Sequence, residues 1–226
     1  LKYNFAHYKQ INAKGVATFG GAYSNHLSAV AAAGKKVGMP TIGFIRGEEL
    51  AQKERNPTLA FCEAEGMRLY FLSREAYRKK EAAPTVKEVA MENQYALLAE
   101  GGTNALAIQG CEEILLPEDK GFDCVAVAVG TGGTFMGLLN TCSPQQHLLG
   151  FDVVKDSKVA EWITQEAGVH KNYTLLDVPY TGTYGNVSDE LIYFINGFYS
   201  QHKILLDPLY TGKLLFGIFA LIKNKQ

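Results

Sequence analysis

The sequence predicts an α/β protein of two lobes, in which each lobe is a parallel sheet with flanking helices. Short runs of β-forming residues alternate with amphipathic helical stretches, which is typical of repeated β–α units. Apolar residues make up 47% and charged residues 20% of the 226 residues, which is enough for a large core. Charged and turn-forming residues at 117–121 interrupt the alternation. We therefore predict a smaller lobe at 10–117 and a larger lobe at 118–226 together with 1–9.

The first lobe is predicted to contain four strands with helices between them. The helix from Ser24 to Lys36 carries an apolar face and meets a stop signal at Gly38. Another helix opens at Asn56-Pro57, because asparagine caps a helix and proline suits its first turn. The predicted strands are 15–20, 41–45, 68–72 and 95–98, and the other predicted helices are 84–93 and 103–116.

The second lobe begins with the most apolar strand of the chain, Cys124–Val129. Both faces of this strand are apolar, which is expected of a central parallel strand covered by helices on both sides. The remaining predicted strands are 148–153 and 173–178, and the predicted helices are 132–140, 159–166, an apolar stripe over 187–198, and 211–223.

Charge and composition argue against several classes of partner. The formal net charge is −1, from 22 basic and 23 acidic residues, and there is no basic stripe for nucleic acid. Apolar runs fall short of the ~20 residues that a membrane helix needs. The four cysteines form no CxxC pair and the five histidines have no metal-ligand spacing, so we predict no metal site. Unpaired cysteines suit a reducing compartment, and we expect a cytoplasmic protein.

The turn Gly130-Thr131-Gly132-Gly133-Thr134 follows the most apolar strand and opens a helix. Glycines let backbone N–H groups approach a ligand closely, and free amides at a helix N-terminus favour an anion. The turn is neither a P-loop nor a GxGxxG fingerprint. We predict a phosphate site here, with a simple tight turn as the alternative.

Three other turns carry polar residues at the start of a helix. In Gly20–His26, the row Ser24-Asn25-His26 places three polar side chains after a strand, although Ser24 can also act as a helix cap. The turn Glu100–Asn104 has an equally good interpretation as a loop in which Thr103 caps a helix. In Asp207–Lys213, Tyr210 and Thr211 could stack on a flat ligand and hydrogen-bond its edge.

Together with the loop around Tyr184-Gly185, these turns occur in the order found in pyridoxal-phosphate enzymes of the tryptophan synthase β fold type. The chain resembles most closely the group of 1-aminocyclopropane-1-carboxylate deaminases and D-cysteine desulfhydrases, from Leu1 to its end. The resemblance implies the two-lobed fold of that family and pyridoxal 5′-phosphate as cofactor. It also implies a small amino-acid substrate and a homodimer.

The resemblance further implies roles for single residues. The cofactor phosphate would lie on Gly130, Thr131, Gly132, Gly133 and Thr134. Asn25 would bond the phenolic oxygen of the pyridine ring, and Thr211 would face the pyridine nitrogen. Ser24 would bind the substrate carboxylate or relay a proton. Tyr210 would line the ring or approach the substrate, with Tyr184 opposite it as a candidate acid or base.

Thr211 distinguishes two activities within the resembled group. The deaminases carry a glutamate at this turn, and a carboxylate near the pyridine nitrogen deepens the electron sink that ring opening needs. The desulfhydrases carry a small hydroxyl residue, as this chain does. The sequence therefore predicts α,β-elimination from a D-cysteine-like amino acid, with deamination of 1-aminocyclopropane-1-carboxylate as the alternative.

The lysine that carries the cofactor has no counterpart in this sequence. The resemblance places it in a turn shortly before Leu1, and it places a further ring-contacting turn after Gln226. We therefore expect the chain to be the central part of one nearer to roughly three hundred residues. Lys14, Lys35, Lys36 and Lys213 are expected at the surface. A third hypothesis, a non-catalytic phosphate-binding protein or inactive fragment, rests on the missing lysine alone.

Overall fold

The computed structural model describes residues 1–168, 172–178 and 185–223. The chain divides into two compact units, Leu1–Gly110 and Cys111–Gln226. The sequence placed this boundary at 117/118 and assigned residues 1–9 to the second lobe, whereas the division falls at 110/111 with the first helix in the first unit. That helix packs through Phe5 and Tyr8 into the core of the first unit.

The first unit is a four-stranded parallel sheet with the strand order β3-β2-β1-β4. Its elements are α1 (Lys2–Gln10), β1 (Gly15–Gly20), α2 (Asn25–Val37), β2 (Thr41–Arg46), α3 (Pro57–Ala64), β3 (Arg68–Leu72), α4 (Arg74–Lys79), α5 (Pro84–Asn93), β4 (Tyr95–Leu97) and α6 (Ala105–Cys111). Short 3-10 turns lie at 48–52, 80–82 and 100–102. The predicted strands and main helices are present, but α6 ends at Cys111 instead of reaching Leu116.

Every residue of β1 is buried, because apolar clusters cover both faces of the sheet. Val16 packs with Leu27 and Val30 of α2, whereas Phe19 packs with Phe44 on the opposite face. Successive residues of a strand point to opposite faces, so a strand buried on both sides has an unbroken apolar sequence. Thr18 is the exception in β1, a buried polar residue.

The second unit contains a three-stranded parallel sheet with the strand order β5-β6-β7. Its elements are β5 (Cys124–Val129), α7 (Gly133–Thr141), β6 (His147–Asp152), α8 (Ser157–Ala167), β7 (Tyr173–Asp177), α9 (Asp189–His202) and α10 (Thr211–Lys223), with a 3-10 turn at 117–121. The central strand among the described residues is β6, and β5 stands at an edge, which differs from the prediction.

Helices α7 and α10 cover the two faces of this second sheet. A Cβ at Gly150 would lie 2.6 Å from the ring of Phe135 in α7, and a Cβ at Gly217 of α10 would lie 2.7 Å from the ring of Phe151. Since Gly150 and Phe151 are neighbours on β6, the two helices lie on opposite faces. Both helices also contact β5, which is half-buried over residues 125–128 and buried at Val129.

Helices long and apolar enough to cross a membrane are absent from the described residues. The same residues contain no group of three histidine, cysteine, aspartate or glutamate side chains that could hold a metal ion.

Candidate functional site

The turn after β5 has the geometry of an anion site. Gly132 is the N-cap of α7 and has φ +84°. As a glycine, it provides no side chain to cap the helix. A Cβ at Gly132 would lie 2.6 Å from the ring of Trp162, and a Cβ at Gly130 would lie 3.0 Å from the ring of Tyr210. Both positions therefore favour glycine. The first backbone amides of a helix have no carbonyl partner within that helix, so the start of α7 is suited to an anion.

Two threonines complete the turn with hydroxyl groups. The side chains of Thr131 and Thr134 are both exposed. Thr134 Oγ1 lies 3.9 Å from the Cys111 thiol, which donates to it. Backbone N–H donors, two threonine hydroxyls and a helix N-terminus together suit a phosphate group. The residues of this turn thus fit the phosphate of the expected cofactor.

Asp207 organises the turn that begins α10. Its Oδ1 accepts the backbone N–H groups of Leu209 at 2.9 Å and Tyr210 at 2.7 Å. Its Oδ2 accepts the N–H of Thr211 at 3.0 Å and the Thr211 hydroxyl at 2.7 Å. The Thr211 oxygen in turn accepts the Asp207 N–H at 2.9 Å. Thr211 therefore has its hydroxyl proton committed to Asp207, and its exposed oxygen faces other groups only as an acceptor.

Lys213 corrects a prediction from the sequence. Its side chain was expected at the surface, but it is 0% exposed, and its Nζ donates to the carbonyl oxygen of Val153 at 3.3 Å. Burial, with a smaller contribution from Lys155, lowers the pKa of the Lys213 amine. The sequence at the start of α10 does not indicate that Lys213 is buried, because this burial depends on how α10 packs against β6.

In the first unit, the turn between β1 and α2 presents Ser24 and Asn25. Ser24 is the N-cap of α2, and its hydroxyl oxygen accepts the Leu27 N–H at 3.4 Å. The Ser24 hydroxyl proton is still available to a ligand, because capping uses only the oxygen. Asn25, the first residue of α2, is exposed. Asn56 steadies the turn by donating to the carbonyl of Ala22 at 2.9 Å while it caps α3.

His26 ties this turn to the sheet. Thr18 Oγ1 donates its one proton to the carbonyl of Leu98 at 2.9 Å and lies 2.7 Å from His26 Nε2. His26 Nε2 must therefore carry a proton, which leaves Nδ1 as an acceptor in the neutral ring. Burial lowers the pKa of His26 to about 4, although Glu100 opposes this shift. The imidazole is thus neutral at physiological pH.

The turn at 100–104 abuts the same histidine. Gly102 has φ +72°, and a Cβ there would lie 2.9 Å from His26 Cε1. The cap of the following helix is Asn104, whose side chain accepts the Ala107 N–H at 2.8 Å. Thr103, the cap in one of the two interpretations of this turn, precedes it. The Asn104 amide also donates to the buried Asn4 at 2.7 Å.

The predicted site residues fall in three groups. Gly130–Thr134, Tyr210 and Thr211 belong to the second unit, where the contact between Tyr210 and Gly130 joins the phosphate turn to the start of α10. Ser24 and Asn25 belong to the first unit. Tyr184 lies outside the described residues.

Sequence reasoning missed several supporting side chains. Three side chains form hydrogen bonds that fix the turns, and the sequence by itself assigns this role to none of them: Asp207, Thr18 and Lys213. A usable signal existed for Thr18, since it is a polar residue in the middle of an otherwise apolar strand. An aspartate directly before a proline and a helix likewise signals the Asp207 cap.

Comparison with known proteins places the chain among cofactor-dependent enzymes. The family model described as "Pyridoxal-phosphate dependent enzyme" matches residues 2–226. A relative from Pyrococcus abyssi, provisionally named 1-aminocyclopropane-1-carboxylate deaminase, is 28% identical over 235 residues, which cover 92% of this chain and 69% of the relative. The D-cysteine desulfhydrase of Klebsiella pneumoniae is 27% identical over 241 residues, which cover 92% of this chain and 71% of that protein.

A solved structure agrees with the fold. The crystal structure of an "ACC deaminase homologue" superimposes with a TM-score of 0.80 and 25% identity, covering 100% of this chain and 74% of that one. The two-lobed α/β fold with parallel sheets is thus that of the tryptophan synthase β-like enzymes.

Proposed function

Because the chain belongs to the family of pyridoxal-phosphate dependent enzymes, we propose that it catalyses α,β-elimination from a small amino acid, with a D-cysteine-like compound as the preferred substrate. The reaction converts D-cysteine and water into pyruvate, ammonia and sulfide. The observation that carries this preference is a neutral Thr211 at the start of α10, where the resembled deaminases have a carboxylate.

The proposed cofactor contacts follow from the geometry of each turn. Gly130–Thr134 would hold the phosphate through the uncapped amides of α7 and the exposed threonine hydroxyls. Asn25, exposed at the first position of α2, would donate its amide to the phenolic oxygen. Thr211 would face the pyridine nitrogen. When bound, the cofactor supplies an electron sink for the negative charge that forms at the substrate α-carbon.

The proposed substrate contacts involve a serine and two tyrosines. Ser24 would bind the substrate carboxylate or relay a proton, since its hydroxyl proton is not used by the helix cap. Tyr210 would line the cofactor ring, with its amide fixed by Asp207 and its ring packed at Gly130. The sequence nominates Tyr184 as a further acid or base.

Thr211 favours elimination for an electronic reason. A threonine oxygen carries no net charge, so it stabilises a protonated pyridine nitrogen less than a carboxylate would. Expulsion of a thiolate needs a weaker electron sink than opening a cyclopropane ring. The Asp207 carboxylate is bonded to Thr211. It accepts hydrogen bonds from three backbone N–H groups and from the Thr211 hydroxyl.

Deamination of 1-aminocyclopropane-1-carboxylate to 2-oxobutanoate and ammonia is the second candidate. Its support is the name of the Pyrococcus abyssi relative and of the solved homologue. Both candidates use the same cofactor and the same turns, so a direct comparison of substrates separates them.

The test compares two substrates in the natural protein that contains this chain. We expect sulfide and pyruvate from D-cysteine with a higher kcat/KM than 2-oxobutanoate from 1-aminocyclopropane-1-carboxylate. Thr211→Glu should lower the ratio of kcat/KM for D-cysteine to kcat/KM for 1-aminocyclopropane-1-carboxylate by on the order of tenfold. This change corresponds to about 1.4 kcal/mol in the difference between the two transition-state free energies. Thr164→Glu adds the same carboxylate on the exposed side of α8 and serves as the control.

Efficient ring opening by the unaltered protein would overturn the assignment to Thr211. A preparation that stays colourless with added pyridoxal phosphate and consumes neither substrate would overturn the proposed activity. We also propose a homodimer in the cytoplasm, on the strength of the resemblance.

A further inference from the structure

Lys213 is a buried cation that the proposed reaction does not use. It lies in the first turn of α10, is 0% exposed, and donates to the Val153 carbonyl at 3.3 Å. Moving an ammonium group from water into a protein interior costs several kcal/mol unless other groups compensate. Lysine side chains normally keep their charge in water. A lysine buried in the unit that holds the predicted anion site is therefore a candidate for a role at that site.

Two chains of contacts lead from Lys213 to the phosphate turn. Val153 directly follows β6, and its N–H donates at 3.3 Å to the carbonyl of Val129, the last residue before Gly130. Along the chain, Lys213 lies three residues after Tyr210, the residue just before α10, whose ring is the group that a Cβ at Gly130 would meet at 3.0 Å. Lys213 is therefore bonded to Val153, which is bonded to the end of the strand before the turn. It also lies one helical turn after Tyr210, which packs at the turn itself.

We propose that Lys213 is a positioning residue for the cofactor phosphate: its buried ammonium fixes Val153 behind the turn at 130–134 and supplies positive charge to the anion bound there. This inference rests on the proposed placement of the phosphate on Gly130–Thr134. It adds a cation to the neutral amides and hydroxyl groups of the turn.

The charges around Lys213 agree with this role. Burial, and after it the positive charge of Lys155 in the segment after β6, lowers the pKa of the Lys213 amine. An anion at the adjacent turn would act in the opposite direction and favour the ammonium form. Asp207, the acidic residue just before the same helix, already accepts from the amides of Tyr210 and Thr211.

The same geometry argues against Lys213 as the lysine that carries the cofactor. Such a lysine must present its amine to an aldehyde carbon, whereas the Lys213 amine is fully buried and bonded to a main-chain carbonyl. The role assigned here is therefore electrostatic and positional.

The experiment measures the dissociation constants of pyridoxal phosphate and of pyridoxal, which lacks the phosphate, in the unaltered natural protein and three variants. Lys213→Met should weaken pyridoxal phosphate binding by on the order of tenfold while leaving pyridoxal binding nearly unchanged. Lys213→Arg keeps the charge and should retain most of the difference between the two ligands. Lys158→Met, an exposed lysine of α8, is the control and should match the unaltered protein.

A measurement on the unaltered protein does not depend on the variants folding. In protein labelled with 15N-lysine, the Nζ signal of Lys213 should shift when pyridoxal phosphate is exchanged for pyridoxal. An unshifted signal would overturn the proposal, as would equal weakening of both ligands in Lys213→Met, which is the result of a purely structural role.

Two further outcomes separate this inference from the proposed function. Borohydride fixes the cofactor to the lysine that carries it, and finding the label on Lys213 by peptide mapping would overturn the positional role. If the unaltered protein binds neither pyridoxal phosphate nor pyridoxal, the proposed function is wrong, and the inference about Lys213, which rests on it, is overturned as well. If it binds both but Lys213→Met keeps the unaltered preference, only the inference about Lys213 fails.

Discussion

At the scale of single residues, the site depends on polar side chains whose hydrogen bonds reach distant parts of the chain. His26 is the clearest case, because Thr18 and Leu98 fix which of its nitrogens carries the proton. The ring is neutral and holds the turn that presents Ser24 and Asn25. Burial disfavours the protonated ring, so the stability of this turn depends on pH.

The linkage of His26 predicts acid sensitivity of stability. Its pKa falls to about 4 in the folded protein from an ordinary value of 6.5, so the unfolded chain binds more protons between these values. Its contribution to the free energy of unfolding is complete above pH 6.5 and is lost as the pH falls towards 4, to the extent of about 3 kcal/mol.

Urea unfolding of the unaltered protein and of His26→Gln at several pH values between about 4.5 and 7 measures this effect. The difference in the free energy of unfolding between the two proteins should shrink as the pH falls. His7→Gln, at an exposed position of α1, controls for replacing an imidazole. A difference that stays constant with pH would show that His26 does not titrate as inferred.

At the scale of elements, the glycine turn at the start of α7 combines a backbone requirement with an exposed group of donors. Gly132 needs φ +84° and has no room for a Cβ beside Trp162, whereas Thr131 and Thr134 are exposed. The strand before the turn and the helix after it are ordinary in sequence. The proposed phosphate contacts therefore lie in five residues that two regular elements hold in place.

Replacing Gly132 by alanine should destabilise the protein by about 1–3 kcal/mol, because alanine is strained at positive φ and its Cβ would overlap Trp162. The matched control is Gly197→Ala in α9, where a Cβ would meet nothing within 4 Å and should stabilise the helix by up to about 1 kcal/mol.

Denaturant unfolding of both variants gives the two signs directly. Cofactor titration should show weaker binding for Gly132→Ala and unchanged binding for Gly197→Ala. Equal stability of the two variants would contradict the argument from backbone strain.

At the scale of the whole molecule, each unit is a parallel sheet covered on both faces, and each places a polar turn after its first strand. In the second unit, helices α9 and α10 also expose large apolar side chains. Tyr193 is 83% exposed and Ile222 is 67% exposed. Exposed apolar side chains grouped on neighbouring helices are typical of surfaces that bind another protein.

The proposed homodimer predicts a particle of twice the chain mass in light scattering. If α9 and α10 form its interface, Tyr193→Arg should shift the mass towards the monomer, because a charge would be buried without a partner. Met91→Arg changes a comparably exposed apolar residue of the first unit and should leave the mass unchanged. A monomeric unaltered protein would contradict the homodimer, and a dimeric Tyr193→Arg would contradict this interface.

The sequence by itself determined the strands, the main helices, the order of the turns and the family. These features depend on local signals: the period of apolar residues, Asn56 as a helix cap, the left-handed Gly38 that ends α2, and the glycines of 130–134. Each signal acts within a few residues, so the order of residues along the chain is enough to detect it.

Only the tertiary structure decided how side chains far apart in the chain are paired. The bond from Lys213 to Val153 spans 60 residues and that from Thr18 to Leu98 spans 80, and neither leaves a local trace. The place of β6 between β5 and β7 among the described residues, and Asn104 as a helix cap, were decided in the same way. Burial depends on which distant segments pack together, and for this reason a lysine expected in water lies in the core.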